Sequence, residues 1–220
     1  ENMMTAAKNG VQLLESEMNG QRLSLEILAA LDKMKAMGLD DQFSIIKREI
    51  DQLAFDDIFV LLPNGELHYP SGQVDKLPKE SLAMGIFEGK KVNYFHVNPD
   101  TNAKNLIYSV PIHQNNRVVG GLFGKYSGAE LSNLIDDITY GETGYAYIIN
   151  QEGTIIAHKD PTMVEDQINP IALAAQDTSM ASFASLFEEI IVTDEGVDTY
   201  EAYGETHFVS YEPIANTDWT

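Results

Sequence analysis

Two stretches of this chain repeat each other. "IFVLLPNGELHYP", residues 58–70, has the same layout as "AYIINQEGTIIAH", residues 146–158: an apolar run, a polar turn holding a glycine, and a return run. Gly153 stands where Gly65 stood, an offset of 153 − 65 = 88 residues. Further on, "VSYEPI" has the shape of "YSVPI", with Pro213 in the place of Pro111 and an offset of 213 − 111 = 102 residues. The longer second offset implies an insertion, filled by the helical pattern from Asn169 to Ile191. A doubled strand–turn–strand unit argues for two sheet-based modules in tandem. Asn64-Gly65 and Glu152-Gly153 fall where hairpin turns demand a positive φ.

A long helix precedes the repeat. Met4, Ala7, Val11, Leu14, Met18, Leu25 and Leu28 follow an alternating three–four spacing, interrupted by Gln21 and weakened at Gly10 and Gly20. Gly38 is the expected stop, and Asp40 the expected cap of a second helix carrying Phe43, Ile46, Ile50 and Leu53 on one face. The period then changes to strands: "DIFVLL", "LHYP", "KVNYFHV", "KNLIYSVPI" and "RVVGGLFGKY", with short helices expected over 78–88 and 128–136. The fold class is therefore α+β: a long N-terminal helix followed by two antiparallel-sheet modules. "GETG", bounded by Gly141 and Gly144, reads as a turn and not a phosphate loop, since it lacks a Lys-Ser/Thr pair and leads into a strand.

The charge balance narrows the partners. With 14 basic and 34 acidic residues the net charge is −20, which repels phosphate backbones, so nucleic acid is not an expected partner. There is no cysteine, which removes disulfides, thiolate metal sites and cysteine nucleophiles together. No apolar run approaches the roughly 20 residues that span a bilayer. The chain opens on Glu1 and closes on "ANTDWT", where a strand is beginning, so a longer parent protein is expected.

The run "YGETGYAYIINQEGTIIAHKDP", the leading helix, "LIYSVPIHQNNRVVGGLFG" and the closing "YEPIANTDW" resemble, in that order, the double Cache domain. This is the extracellular sensor of many bacterial chemoreceptors, sensor kinases and diguanylate cyclases. Tyr145, Gly153, His158 and Trp219 are family-like positions. The resemblance implies two PAS-like modules on one helix: a helical stalk over 1–53, a membrane-distal ligand-binding module over 54–139, and a membrane-proximal module over 140–220. It also implies flanking membrane helices and an extracellular or periplasmic location; no cofactor and no enzymatic activity are expected. The stripe on the leading helix suits a homodimer in which its early part pairs with a second copy while its later part packs on the domain. The expected output is a chemotaxis signalling bundle, with a cyclase or kinase as the alternative.

Candidate ligand contacts lie in the first module. Strand alternation puts Tyr94, His96 and Asn98 on one face; Tyr108 follows on the next strand, Tyr69 on the hairpin, and Lys125 at the end of the last strand. Aromatic walls with a few convergent polar groups suit a small molecule. The same alternation equally suits a sheet with one wet face. Family members that bind amino acids carry an Arg-x-Trp-Tyr box on the distal helix and an aspartate at the end of the last distal strand. Here the helix reads "PKESLAMGIFEGK", and the aspartate position is Lys125. A lysine repels a ligand ammonium and attracts a carboxylate or phosphate, so the expected ligand is anionic and not a typical amino acid; the alternative is a Lys125 that points to solvent beside a pocket for an uncharged molecule.

The remaining polar groups read as structural. His158 follows a strand with no nucleophile motif beside it, which weakens the rival reading of a secreted hydrolase. The pairs Asp56/Asp57, Asp136/Asp137 and Asp194/Glu195 lack calcium-loop spacing, and the histidines lack zinc-site spacing, so no metal is expected. A pure adhesion module is the third reading, to be recognised by a distal interior filled with its own side chains.

Overall fold

The computed structural model describes residues 2–53, 55–202 and 204–220. Ala54, the first residue of the expected distal module, lies outside them. The chain divides into two compact units. One is Met18–Ser127; the other joins the residues up to Glu17 to Gly128–Thr220. The division falls ahead of residue 139, and the helix α4 (Ala129–Ile135) belongs to the C-terminal unit, where it packs on strand β10 (Ile155–His158).

The helix α1 runs over Met3–Ala29. Its expected inner stripe is in place: Leu14, Met18, Leu25 and Leu28 are all buried. The helix ends earlier than Gly38. Leu31 turns extended (φ −66°, ψ 140°) and caps a single turn, α2 (Asp32–Lys35), before α3 (Leu39–Leu53). Met37, not Gly38, takes the left-handed conformation (φ 56°). The reason is tertiary: Met34 is fully buried, and the Gln42 side-chain amide donates to the Met34 carbonyl at 2.7 Å, fixing the corner.

The Met18–Ser127 unit is built on one six-stranded antiparallel sheet. Its strands are β1 (Asp57–Leu61), β2 (Glu66–His68), β3 (Val74–Lys76), β4 (Asn93–Val97), β5 (Lys104–Gln114) and β6 (Arg117–Ser127). They are ordered β3-β2-β1-β6-β5-β4. One face carries Tyr108, Gly124 and Tyr126. The Phe55 ring lies so close to Gly124 that a Cβ there would come within 2.4 Å of it. The Tyr126 hydroxyl bonds the Gln21 side chain and reaches the Leu53 carbonyl at 3.4 Å. Gln21, the break in the apolar stripe, is thus a polar tie between α1 and the sheet. The opposite face is covered by a 3-10 helix (Leu82–Glu88), which Gly89 ends at φ 80°.

The C-terminal unit is made of shorter pieces. β9 (Tyr147–Ile149) pairs with β10, with a bulge between Ile155 and Ala157. β11 (Gly196–Ala202) pairs with β12 (Glu205–Tyr211). The "GETG" turn joins β7 (Thr139–Tyr140) to β8 (Gly144–Tyr145). The expected helical insertion is α6 (Pro170–Ala174), a short 3-10 turn and α7 (Ala181–Ile190), after α5 (Pro161–Glu165). The final residues form isolated β-bridges and not a strand: Ile149 and Thr220 exchange two backbone hydrogen bonds of 2.9 and 3.1 Å, and Trp219 is buried.

The hairpin turn of the internal repeat is the same in both copies, although a bulge shifts the register of β9 with β10. The Gly65 N–H donates to Leu62 O and the Leu62 N–H to Glu66 O, both at 2.9 Å. In the second copy Gly153 donates to Asn150 O at 2.9 Å and Asn150 to Thr154 O at 3.0 Å. Both glycines are left-handed, at φ 84° and 78°.

Candidate functional site

Cross-strand register assembles a row on the sheet face beneath the 3-10 helix. Asp57 of β1 stands opposite Lys125 of β6, Lys125 opposite Ile107 of β5, and Ile107 opposite Tyr94 of β4. Residues opposite one another share a face, so these four side chains lie side by side across four strands. A neighbouring row on the same face holds His96 opposite Asn105. On the other side lie Phe59 and Phe123, stacked at 5.6 Å between ring centroids, with Tyr69 tilted against Phe59 at 4.8 Å.

The row combines an apolar floor with a few polar groups. Leu61, Leu67, Ile86, Ile107 and Phe123 form a buried cluster against which Tyr69 and Tyr94 pack half-buried. Burial, with Asp75 and Asp57 nearby, pushes the Tyr69 phenol well above its ordinary range. Burial, then Tyr69 itself, does the same for Tyr94. Both hydroxyls are therefore neutral at physiological pH. Lys125 Nζ lies 3.9 Å from Asp57 Oδ2. Desolvation holds the Asp57 carboxyl above its usual range, against the pull of Lys125 and of the Ile58 N–H bonded to its Oδ1 at 2.9 Å.

Four of the six candidate residues, Tyr69, Tyr94, His96 and Lys125, fall on this face. His96 is at its exposed end, where partial desolvation lowers its pKa. Asn98 is past the end of β4, and its side-chain oxygen accepts from the N–H groups of Asp100 and Thr101 at 2.9 and 3.0 Å, shaping the hairpin turn. Tyr108 is fully buried on the opposite face, edge-on to Phe55 and Tyr126. Neighbours along a strand point to opposite sides, and register gives this side of β5 to Ile107. Asp57 escaped the sequence reading because a paired acid in an acidic chain resembles a solvated turn; only the ladder puts it beside Lys125. No group of three His, Cys, Asp or Glu residues able to hold a metal is present among the described residues.

Two concave regions lie away from this row. The same unit has an open groove of ≈ 770 Å³ near the tip of the β5–β6 hairpin, bordered by Glu26, Lys35, Lys91 and His113. In the C-terminal unit a cavity of ≈ 420 Å³ lies beside the "GETG" turn, bordered by Tyr145 and Lys159. His158 of the same unit does not border that cavity; it is buried, with Nδ1 accepting the Asp160 N–H at 2.9 Å.

A long helix, a six-stranded antiparallel sheet with β1 and β6 side by side, and a second compact unit of the same size make up a mixed α/β fold. The chain belongs to the Cache domain family: the dCache family model matches residues 1–220. Among solved structures it is similar to the ligand-binding domain of the Pseudomonas aeruginosa amino acid chemoreceptor PctB in complex with L-Gln. That match has 16% identity and a TM-score of 0.67, covering 99% of this chain and 86% of that one. The ligand-binding domain of the Campylobacter jejuni chemoreceptor Tlp3, in complex with 4-methylisoleucine, matches at 14% identity and a TM-score of 0.66, with coverage of 99% and 86%. An extracellular domain assigned to the histidine kinase mmHK1S-Z2 matches at 16% identity and a TM-score of 0.66, with coverage of 99% and 92%. No curated protein sequence gives a significant match. No described helix is long and apolar enough to cross a membrane.

Proposed function

We propose that this chain is the extracellular ligand-binding domain of a bacterial transmembrane chemoreceptor, anchored by membrane helices outside this sequence. The Met18–Ser127 unit is the membrane-distal, ligand-binding module, and the C-terminal unit is the proximal module that passes the signal on. The single observation that carries this reading is the Asp57–Lys125–Ile107–Tyr94 row. It gathers one cation, one acid and a neutral phenol above an apolar floor, in a family of sensors.

The ligand is a small organic acid. Its anionic group meets Lys125, and a hydroxyl on the same molecule donates to Asp57. Tyr69 and Tyr94 supply aromatic walls with polar tips. The Arg-x-Trp-Tyr box is missing from this helix, which supports a ligand other than a typical amino acid. A thermal-shift screen of hydroxylated organic acids against the common amino acids tests it. Stabilisation by acids, lost in Lys125→Met, is the expected result. Stabilisation by several amino acids, or none by any acid, overturns the ligand assignment.

The subunit dimerises through α1. Leu13, Leu23 and Ile27 are 49%, 53% and 62% exposed, and with Ser16 and Gly20 they form a second three–four seam behind the buried one. The similarity to a histidine kinase extracellular domain favours a second output reading, a sensor kinase. Fusing the domain to each class of output and recording which one responds to the bound acid separates the two.

A further inference from the structure

Charge is divided unevenly between the two units. Met18–Ser127 carries 12 Lys or Arg and 13 Asp or Glu residues, a net 12 − 13 = −1. The residues up to Glu17 together with Gly128–Thr220 carry 2 and 21, a net 2 − 21 = −19. Nearly the whole charge of −20 therefore sits in the C-terminal unit, whose only Lys or Arg residues are Lys8 and Lys159. Self-repulsion of this size works against a compact state and favours an arrangement that holds an extra proton.

One of those acids is buried without a donor. Glu212 directly follows β12, and its Oε2 is sealed from solvent with no hydrogen-bond partner among the described residues. Lys8 and Glu15 face it from α1, and Glu195 from the turn before β11. Glu195 is within hydrogen-bonding reach of Glu212 and also accepts from Lys8 Nζ at 2.6 Å. Glu15 is engaged elsewhere, its Oε1 accepting the Ala215 N–H at 2.8 Å. Tyr211, next to Glu212, donates to Glu189 of α7 at 3.3 Å. Ionised carboxylates only accept, so of two in contact one keeps its proton. Burial, and then Glu195, push Glu212 above the usual carboxylate range, while Lys8, and then Glu212, hold Glu195 below it. The proton therefore resides on Glu212, which donates to Glu195.

We propose that Glu195 and Glu212 share one proton and that this acid pair is a pH-sensitive clamp between α1 and the segment after β12. The clamp is closed in mildly acidic medium. Loss of the proton leaves two facing carboxylates and a single lysine, and the segment carrying Glu212 withdraws from α1. Two neighbouring ties loosen with it: Glu15 to Ala215, and the Ser210 hydroxyl to the Met3 carbonyl at 2.9 Å. Because the folded Glu212 value is raised, its contribution is full below the ordinary carboxylate range and is lost as pH rises through that value. The lowered Glu195 contributes above its ordinary value and is lost as pH falls through the folded one, so the clamp is firmest between the two. It lies wholly within the C-terminal unit and stands independently of the row at Asp57 and Lys125.

The test is a pH series on the whole domain. Carbon-13 NMR of the glutamate side chains between about pH 4 and about pH 8 is expected to show one carboxyl titrating above the ordinary value of about 4.3. That titration is expected to vanish in Glu212→Gln and to move to higher pH in Lys8→Met, which removes the cation that favours ionisation. Glu212→Gln keeps the shape and a donor to Glu195 and cannot ionise. Its melting temperature is expected to match the wild type at about pH 5 and to exceed it by about 2–4 °C at about pH 7.5. Over the same range the Ala215 amide, corrected for its intrinsic exchange rate, is expected to lose protection in the wild type and not in Glu212→Gln. No glutamate titrating above the ordinary value, a gap in melting temperature that stays constant with pH, or Ala215 protection unchanged across the range in the wild type would overturn the proposal.

Discussion

Asp57 and Lys125 face each other across the central ladder of the six-stranded sheet, their charged atoms 3.9 Å apart, neither fully buried nor free in solvent. Half-desolvated pairs of this kind contribute little to stability, since the cost of leaving water offsets most of the attraction. The recognition role proposed for the pair is testable in a variant that keeps its shape. Asp57→Asn is expected to change ligand preference while leaving the fold intact.

The pH dependence of that variant has a definite sign. The folded Asp57 carboxyl has a raised pKa, so its favourable contribution is full below the ordinary carboxylate range and is lost as pH rises through the folded value. Relative to Asp57→Asn, the wild type is expected to lose stability between acidic pH and neutrality. Urea denaturation at both ends of that range checks it; a relative gain would refute it.

His158 behaves oppositely. Burial is the main cause of its lowered pKa, outweighing Asp160, and Lys159 adds to the lowering. A depressed folded value means that stability is present above the unfolded pKa and is lost as pH falls through the folded one. His158→Phe keeps a ring against Tyr145 and cannot titrate. It is expected to flatten the fall in stability between about pH 7 and pH 5. Denaturation curves that steepen by the same amount in both proteins would sink this assignment.

The two repeat glycines should not tolerate a side chain equally. Both are left-handed, so alanine costs about 1 kcal/mol at each from backbone strain alone. A Cβ at Gly153 would in addition come within 2.8 Å of Ile171 Cδ1, while at Gly65 the nearest atom is the Leu77 carbonyl oxygen at 3.2 Å. Gly153→Ala is expected to be the more destabilising in a thermal melt. At Gly124 the same substitution meets the Phe55 ring, and a loss of about 1–3 kcal/mol is expected from overpacking.

Dimerisation through α1 predicts a salt effect. Two chains of charge −20 repel, and screening shortens that repulsion to about 10 Å at 0.1 M salt. Sedimentation should show the dimer strengthening as salt rises, and Leu23→Glu with Ile27→Glu abolishing it at every salt concentration. A monomer at high salt would rule out the seam.

The fold class was legible in the residues because it rests on local rules. The three–four stripe from Leu14 to Leu28, the turn glycines at 65 and 153, and the strand alternation of "KNLIYSVPI" each follow from backbone geometry within a few residues. Even the doubled architecture could be read, because its two turns carry the same bonds 88 residues apart (153 − 65 = 88). The site was legible only in part. Whether Tyr108 or Ile107 joins Lys125 depends on how β5 registers with β6, and a slip of one residue would exchange them. The break of the helical region at Leu31 follows from the burial of Met34, and the partnership of Asp57 with Lys125 from a ladder closed between distant strands. Local preference chose the elements; long-range packing and hydrogen-bond register chose which side chains meet, since only those energies depend on residues far apart in sequence.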